Sequence, residues 1–227
     1  MKRWMSRLVL TAVLVALAAT AGLAQKPPRS IYLEIRSVDS GPSGTITSTM
    51  KFWATKQSAR LDTSHPLKGT QRLLVFKGYV YVMSVDAKVG VKSPLPKELK
   101  SVVGDIEKMV HVIPGIPEKG DKLPPKVREE TLLGYKCDVH EFSETKDGRT
   151  VKVTLWMPKT LRPRIPLKMI ESNIIQKKGV NIREKREVRV TKIQLNVPVT
   201  EALFRVPKGY KIREQKLPAR RGSRPRK

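Results

Sequence analysis

Cys137 and His140 are the side chains whose types and spacing come nearest to a reactive pair. A thiol and an imidazole in mutual reach would make a Cys–His nucleophile or half of a metal site. The two stand three residues apart in a stretch, Tyr135 to Phe142, that reads as a strand. They therefore point to opposite faces and share neither a ligand nor a proton. Cys137 is the sole cysteine, and a buried lone cysteine usually behaves as a small hydrophobe. His65 and His111 are isolated, and three histidines with one cysteine form no zinc spacing. Glu129 and Glu130 are adjacent and diverge; Asp62, Asp86 and Asp105 have no partner that spacing assigns. Only carboxylates brought together by the fold would leave room for a hydrolase. No Gly-rich phosphate loop and no nucleophile elbow is present. The residues point to a protein that is not an enzyme, with no catalytic group, no metal and no cofactor.

Positive charge is the other chemistry on offer. The chain carries 46 Lys and Arg against 20 Asp and Glu, a formal net charge of +26. Such a charge suits polyanionic partners, or simply keeps a protein soluble. Lys177, Lys178, Arg183, Lys185 and Arg189 lie close together, and Arg220, Arg221, Arg224, Arg226 and Lys227 end the chain. Arg183, Lys185 and Arg189 share one strand parity and so line one face. The ordinary alternative is a solvated face. The functional reading is contact with an anionic surface, worth about 1 kcal/mol per basic residue.

Residues 1–24 decide which polyanions are within reach. Lys2, Arg3 and Arg7 precede an uncharged apolar run from Leu8 to Ala19, and Ala21-Gly22-Leu23-Ala24 follows it. That is the pattern of a cleavable secretory signal peptide. The run is shorter than the roughly 20 residues a spanning helix needs. No cysteine follows it to accept a lipid. The expectation is a periplasmic or secreted protein, and export favours anionic membrane, lipopolysaccharide or acidic polysaccharide over nucleic acid as partner. With a single cysteine no intramolecular disulfide forms, so packing alone must hold the domain.

The elements that must position these groups are mostly strands. Residues 45 to 54 alternate, with Ile46, Ser48, Met50, Phe52 and Ala54 on one face. Arg72 to Phe76 and Tyr79 to Val85 flank Lys77-Gly78 as a hairpin, with Tyr79, Tyr81 and Met83 on one face. Leu99, Val102, Val103, Ile106, Met109 and Val110 recur at helical spacing between Pro96 and Ile113. Strands resume at Val127 to Leu133, Tyr135 to Phe142 and Thr150 to Met157. Pro158, Pro163 and Pro166 mark an interrupted edge region, and Leu167 to Gln176 reads equally as strand or short helix. Glu184 to Asn196 reads as a long charged strand, and Pro198 to Leu203 as one helical turn. From Lys211 the chain reads as a basic disordered tail. The sum is a mainly β domain over residues 25–212: a curved antiparallel sheet with an inserted helix and no βαβ alternation.

Several phrases resemble the LolA-like superfamily of exported proteins, which includes the outer-membrane lipoprotein carriers. They are Gly134-Tyr135-Lys136-Cys137-Asp138-Val139-His140, Val153-Thr154-Leu155-Trp156-Met157, Arg164-Ile165-Pro166-Leu167-Lys168, and Leu195-Asn196 through Leu203-Phe204-Arg205-Val206-Pro207-Lys208-Gly209-Tyr210. The resemblance covers roughly residues 31 to 212 and its motifs are structural. It implies a strongly curved antiparallel sheet, an incomplete barrel, with inserted helices covering the concave face. It also implies an apolar cavity between sheet and helices for the acyl chains of a lipid or lipidated protein. Met50, Phe52, Tyr79, Tyr81, Met83 and Trp156 are then the expected cavity wall, although such side chains are more often ordinary core. Leu99, Val102, Val103, Ile106, Met109 and Val110 are the expected lid. A module that grips an anionic glycan, lipopolysaccharide or membrane through the basic patches is the alternative. The extreme charge departs from what the resemblance implies for a soluble carrier.

Overall fold

The computed structural model describes residues 28–96, 123–146, 148–177 and 180–215. Alternating apolar and polar residues make a pleated strand with one face to bury, and the first half of the chain is a run of such strands. These are β1 (Ser30–Gly41), β2 (Gly44–Thr55), β3 (Ala59–His65), β4 (Gly69–Phe76), β5 (Tyr79–Ser84) and β6 (Val89–Pro94). The second half supplies β7 (Lys126–Leu132), β8 (Tyr135–Lys146), β9 (Arg149–Pro158), β10 (Lys168–Lys177) and β11 (Val180–Leu195). A 3-10 turn, Glu201–Phe204, and a last strand, β12 (Lys211–Glu214), complete the described elements. Two of the hairpins turn on two residues with positive φ, Lys77-Gly78 and Leu133-Gly134. That is the type I′ geometry whose twist matches paired strands, and glycine takes its second position without strain.

All twelve strands form one sheet, in the order β12-β6-β5-β4-β3-β2-β1-β11-β10-β9-β8-β7. Two antiparallel meanders, β1 to β6 and β7 to β11, are welded by the long pair β1–β11. One residue of β11, Thr191, is extra in that register, and its hydroxyl donates to the Glu34 carbonyl at 3.3 Å. The sheet is not closed: β12 and β7 are its edges. It is the mainly β, incomplete-barrel architecture expected.

Inserted helices are not among the described elements. The expected helix, with Leu99, Val102, Val103, Ile106, Met109 and Val110, lies outside the described residues. The 3-10 turn sits on the opposite face from Phe52, because Arg60 donates to its Leu203 carbonyl at 3.2 Å. The described residues on either side of that expected helix are packed. Leu95 belongs to the main core cluster, and Leu123 packs against Leu155, Met157 and Met169.

The main core cluster takes Ile31, Leu33 and Ile35 of β1 and Met50, Phe52 and Ala54 of β2. Register pairs Ile31 with Ala54, Leu33 with Phe52 and Ile35 with Met50, so the six stack on one face. Residues 159–167 bring Leu161, Ile165 and Leu167, all sealed, into the same cluster. The Leu167 N–H donates to the Trp156 carbonyl at 2.9 Å, and the Val190 N–H to the Leu167 carbonyl at 2.9 Å. The expected edge region is therefore interior: Pro158 and Pro163 are among the most buried side chains, and β9 and β10 are central strands. Proline is tolerated there because it falls at the strand end and in the connecting loop, where no ladder hydrogen bond is lost. Lys211–Glu214, read as the start of the tail, pairs in parallel with β6.

Candidate functional site

Cross-strand register turns single residues into rows. Leu33 of β1 is paired with Phe52, Phe52 with Leu61, Leu61 with Leu73, Leu73 with Val82, and Val82 with Val91 of β6. Directly paired residues share a face, so this is one apolar row across six strands. It begins sealed at Leu33 and ends with Val82 and Val91, 50% and 37% exposed. Val89, on the same face, is 44% exposed. These three valines, with Ser84 and Gly90, line a groove of about 440 Å³ at the β12 edge of the sheet. Its other walls are Lys211 and Arg213, which register places opposite Val89 and Val91. The volume is in the range of small-molecule sites, about 300–1,000 Å³. An aliphatic floor with two cations beside it suits a chain that is apolar along its length and anionic at one end.

The expected wall residues do not meet in one cavity. Met50 and Phe52 are core on the face of this row. Tyr79, Tyr81 and Met83 are on the opposite face, since Tyr81 is paired with Leu74 and Leu74 with Arg60. There Met83 is sealed, and the Lys92 ammonium sits 4.1 Å from the Tyr79 ring centroid. Trp156 is buried too, its indole N–H donating to Glu130 Oε2 at 2.7 Å. Val82 of the groove occupies an alternate position of the strand that carries the tyrosines, and Val89 and Val91 alternate in the same way along β6. Their signal in the sequence was the alternation itself, Tyr79-Val80-Tyr81-Val82, of which only the aromatic half was singled out. The lid residues Leu99 to Val110 lie outside the described residues, as do Lys178 and the cluster at 220–227; the Lys177 side chain is likewise not described.

The groups that looked reactive are held in structural roles. Cys137 is sealed, and burial pushes its thiol above the usual range, away from the nucleophilic thiolate. Its partners on adjacent strands are Glu130 and Pro158, whereas His140 is paired with Lys126 and Leu155, so thiol and imidazole do face opposite ways. His140 donates from Nδ1 to the Pro124 carbonyl at 2.7 Å, pinning the chain as it enters β7. His65 accepts the Leu67 N–H at 3.1 Å, and Asp86 accepts that of Thr70 at 2.8 Å. His111 and Asp105 lie outside the described residues.

Carboxylates are clamped by cations. Hydrogen bonds from Lys126 and Lys159 hold Glu129 below the usual carboxylate range, and those from Arg128 and Trp156 do the same for Glu130. Ionised acceptors of this kind are not poised to give up a proton. Asp62 has the tightest grip. Arg60 reaches it at 2.5 and 3.0 Å, and Arg72 at 2.8 and 2.9 Å. Burial pushes the Asp62 carboxyl up, but the hydrogen bonds from Arg60 and Arg72 outweigh it and leave it lowered. The Arg60 guanidinium also covers the Trp53 ring at 5.0 Å, and Trp53 stacks on Tyr32 at 4.9 Å. Arg60-x-Asp62 shares a strand face, and Arg72 comes opposite Asp62 once the β3–β4 turn is known.

Arg183, Lys185 and Arg189 project from one face of β11, and register adds two cations that spacing did not offer. Arg189 is paired with Arg36 of β1 and with Lys168 of β10. A polar groove of about 360 Å³ lies at the far ends of β1, β10 and β11, with Asp39, Glu171 and Glu184 beside Lys185 and Arg186. Arg186 there stands 3.6 Å from Asp39.

No family model matches the chain, and no curated protein is significantly similar to it. Solved structures do resemble it. An uncharacterized conserved protein from Thermus thermophilus is 13% identical, with a TM-score of 0.42, over 80% of this chain and 90% of that one. A domain assigned as an outer membrane lipoprotein-sorting protein, from Vibrio parahaemolyticus, is 13% identical, with a TM-score of 0.29, over 77% and 88%. The Mycobacterium tuberculosis lipoprotein LppX is 16% identical, with a TM-score of 0.36, over 86% and 98%.

Proposed function

We propose that this is an exported, non-enzymatic protein that holds acyl chains of a lipid or a lipidated protein against the apolar face of its open sheet. The observation that carries the reading is the row from Leu33 to Val91. It leaves the core and surfaces as an aliphatic groove with Lys211 and Arg213 alongside. A strand face with no water-soluble purpose is normally covered. Here the exposed end is open to a ligand, and burying acyl carbons there yields about 0.8 kcal/mol per CH₂. Export rests on the signal-like residues 1–24. The lid is assigned to Leu99, Val102, Val103, Ile106, Met109 and Val110 on their helical spacing in the sequence.

A fluorescent fatty acid tests the reading. Wild type is expected to bind it in the micromolar range or tighter. Val89→Asp with Val91→Asp is expected to weaken binding about 100-fold, reckoned at about 1.5 kcal/mol per lost valine contact. The two positions are exposed, so the double variant should melt as the wild type does. Equal binding by both proteins, or no acyl binding by either, would overturn the groove.

A further inference from the structure

We infer that the face of β1, β10 and β11 opposite the groove is a docking surface for an anionic lipid bilayer. Register carries the inference. Arg36, Arg189 and Lys168 stand side by side on three adjacent strands, about 5 Å apart from strand to strand. Like charges placed directly opposite destabilise a sheet. Along β11, Lys185 and Arg183 continue the same face, and Lys192 lies beyond the bulge opposite Glu34. Arg36, Arg183, Lys185, Arg189 and Lys192 are all exposed, and none has an ion pair among the described residues. The carboxylates that share the face are taken: Glu187 faces Lys168 at 3.5 Å, and Glu34 accepts the Tyr32 hydroxyl.

A rigid grid of cations, of which Lys168 alone has an ion pair among the described residues, costs stability in the free protein and is relieved by a surface of closely spaced anions. Phosphate headgroups provide that spacing at every lateral position, so no unique ligand pose is needed. An apolar residue on the same face favours a bilayer over a soluble polyanion. Ile174, paired with Arg183, is 37% exposed. Cations beside an exposed aliphatic side chain suit an interfacial contact, where charge meets headgroups and the apolar tip enters the acyl boundary. A soluble glycan has nothing to offer Ile174. The groove of Val82, Val89 and Val91 opens on the other face, so this inference does not depend on what that groove holds.

Cosedimentation of the full chain with large vesicles tests it. Vesicles of phosphatidylcholine with about 30 mol% phosphatidylglycerol should bind the protein in about 0.02 M salt and release it in about 0.5 M, where screening shortens the reach of each charge to a few ångströms. Pure phosphatidylcholine should not bind. Arg36→Gln, Lys185→Gln and Arg189→Gln together should weaken binding about 100-fold, at about fivefold per cation. The triple variant should melt no lower than wild type and bind the fatty-acid probe unchanged, which separates a lost surface from a lost fold or a lost groove. Ile174→Ser should weaken vesicle binding without altering its salt dependence. A triple variant that binds vesicles as wild type does would overturn the inference, since the 220–227 cluster alone would then suffice. So would wild type that ignores vesicles while binding a soluble sulfated polysaccharide.

Discussion

Asp62 shows what a single carboxylate does in so basic a chain. Its side chain and those of Arg60 and Arg72 are each at most 16% exposed, and its two oxygens neutralise two guanidiniums that would otherwise repel. Replacing it by Asn leaves both arginines facing each other without their counter-charge. We expect Asp62→Asn to cost about 3 kcal/mol at neutral pH, the low end for breaking a buried pair by removing one partner. The pH dependence has a definite sign. The folded carboxyl titrates below its unfolded value, so its contribution is complete above about pH 4 and is lost as pH falls through the lower folded value. Urea unfolding at pH 7 and at pH 3 checks this: the gap between wild type and variant should be widest at pH 7 and shrink in acid. From the sequence, Asp62 had no assignable partner. Arg60 was visible as a same-face neighbour two residues away, but Arg72 required the pairing of β3 with β4.

Elements impose constraints that no single residue announces. β12 is four residues long and is the only parallel addition to the described sheet. It is held by backbone donation from Lys211 to Lys88 at 2.9 Å and from Gln215 to Lys92 at 2.8 Å, with the Lys92–Glu214 pair at 2.8 Å. Gly90 makes room for it. A β-carbon there would lie 2.6 Å from Met83 Cγ, 2.9 Å from the Val82 carbonyl oxygen and 3.0 Å from Ile212 Cδ1. Met83 is sealed and the carbonyl is backbone, so neither yields cheaply. Gly90→Val should therefore push β12 off β6, with a local cost of about 1–3 kcal/mol for the overfilled contact. Hydrogen exchange reads it out: the amides of Lys211 and Gln215 should lose protection while those of β1 and β2 keep theirs. Composition hid this strand. Lys-Ile-Arg-Glu has one apolar residue and runs straight into the basic stretch, so its polarity resembled a tail. Ile212 alone faces Gly90, and that one contact is not legible as a pattern.

At the scale of the molecule, charge is distributed by the sheet and not by the chain. The net charge of +26 is nearly the same whichever register the strands adopt. Register decides that Arg36, Arg189 and Lys168 oppose one another, while Asp62 and Glu129 each sit between two cations. Exposed like charges are screened by salt far more than the sheltered Asp62 cluster. Raising salt from about 0.02 M to about 0.3 M should therefore raise the melting temperature, by several degrees for a domain of this size. Scanning calorimetry in a non-binding salt checks it. A melting temperature that falls with salt would mean that attractive pairs dominate the surface.

What the sequence determined by itself was local: period-two alternation for the strands, Gly78 and Gly134 for two of the hairpins, a helical turn near Glu201, and the separation of Cys137 from His140. Each follows from residues within a few positions of one another, where sterics and periodicity act without help. Tertiary structure alone decided how the two meanders join through β1 and β11, that residues 159–167 are interior, and that Lys211–Glu214 is a strand. It also decided how burial is divided between the two faces of Tyr79–Ser84. The alternation of that strand offered two faces, one aromatic and one aliphatic, and the larger side chains drew attention. Burial was settled instead by what lay across from them. On the aromatic side Leu74 and Met83 are sealed and Gly90 lies against Ile212, while Tyr79 stays 38% exposed; on the other side Val82, Val89 and Val91 stand at the open edge of the apolar row. The cationic row had the same origin. Arg36, Lys168 and Arg189 are far apart in the chain, and only strand pairing at fixed register sets them abreast.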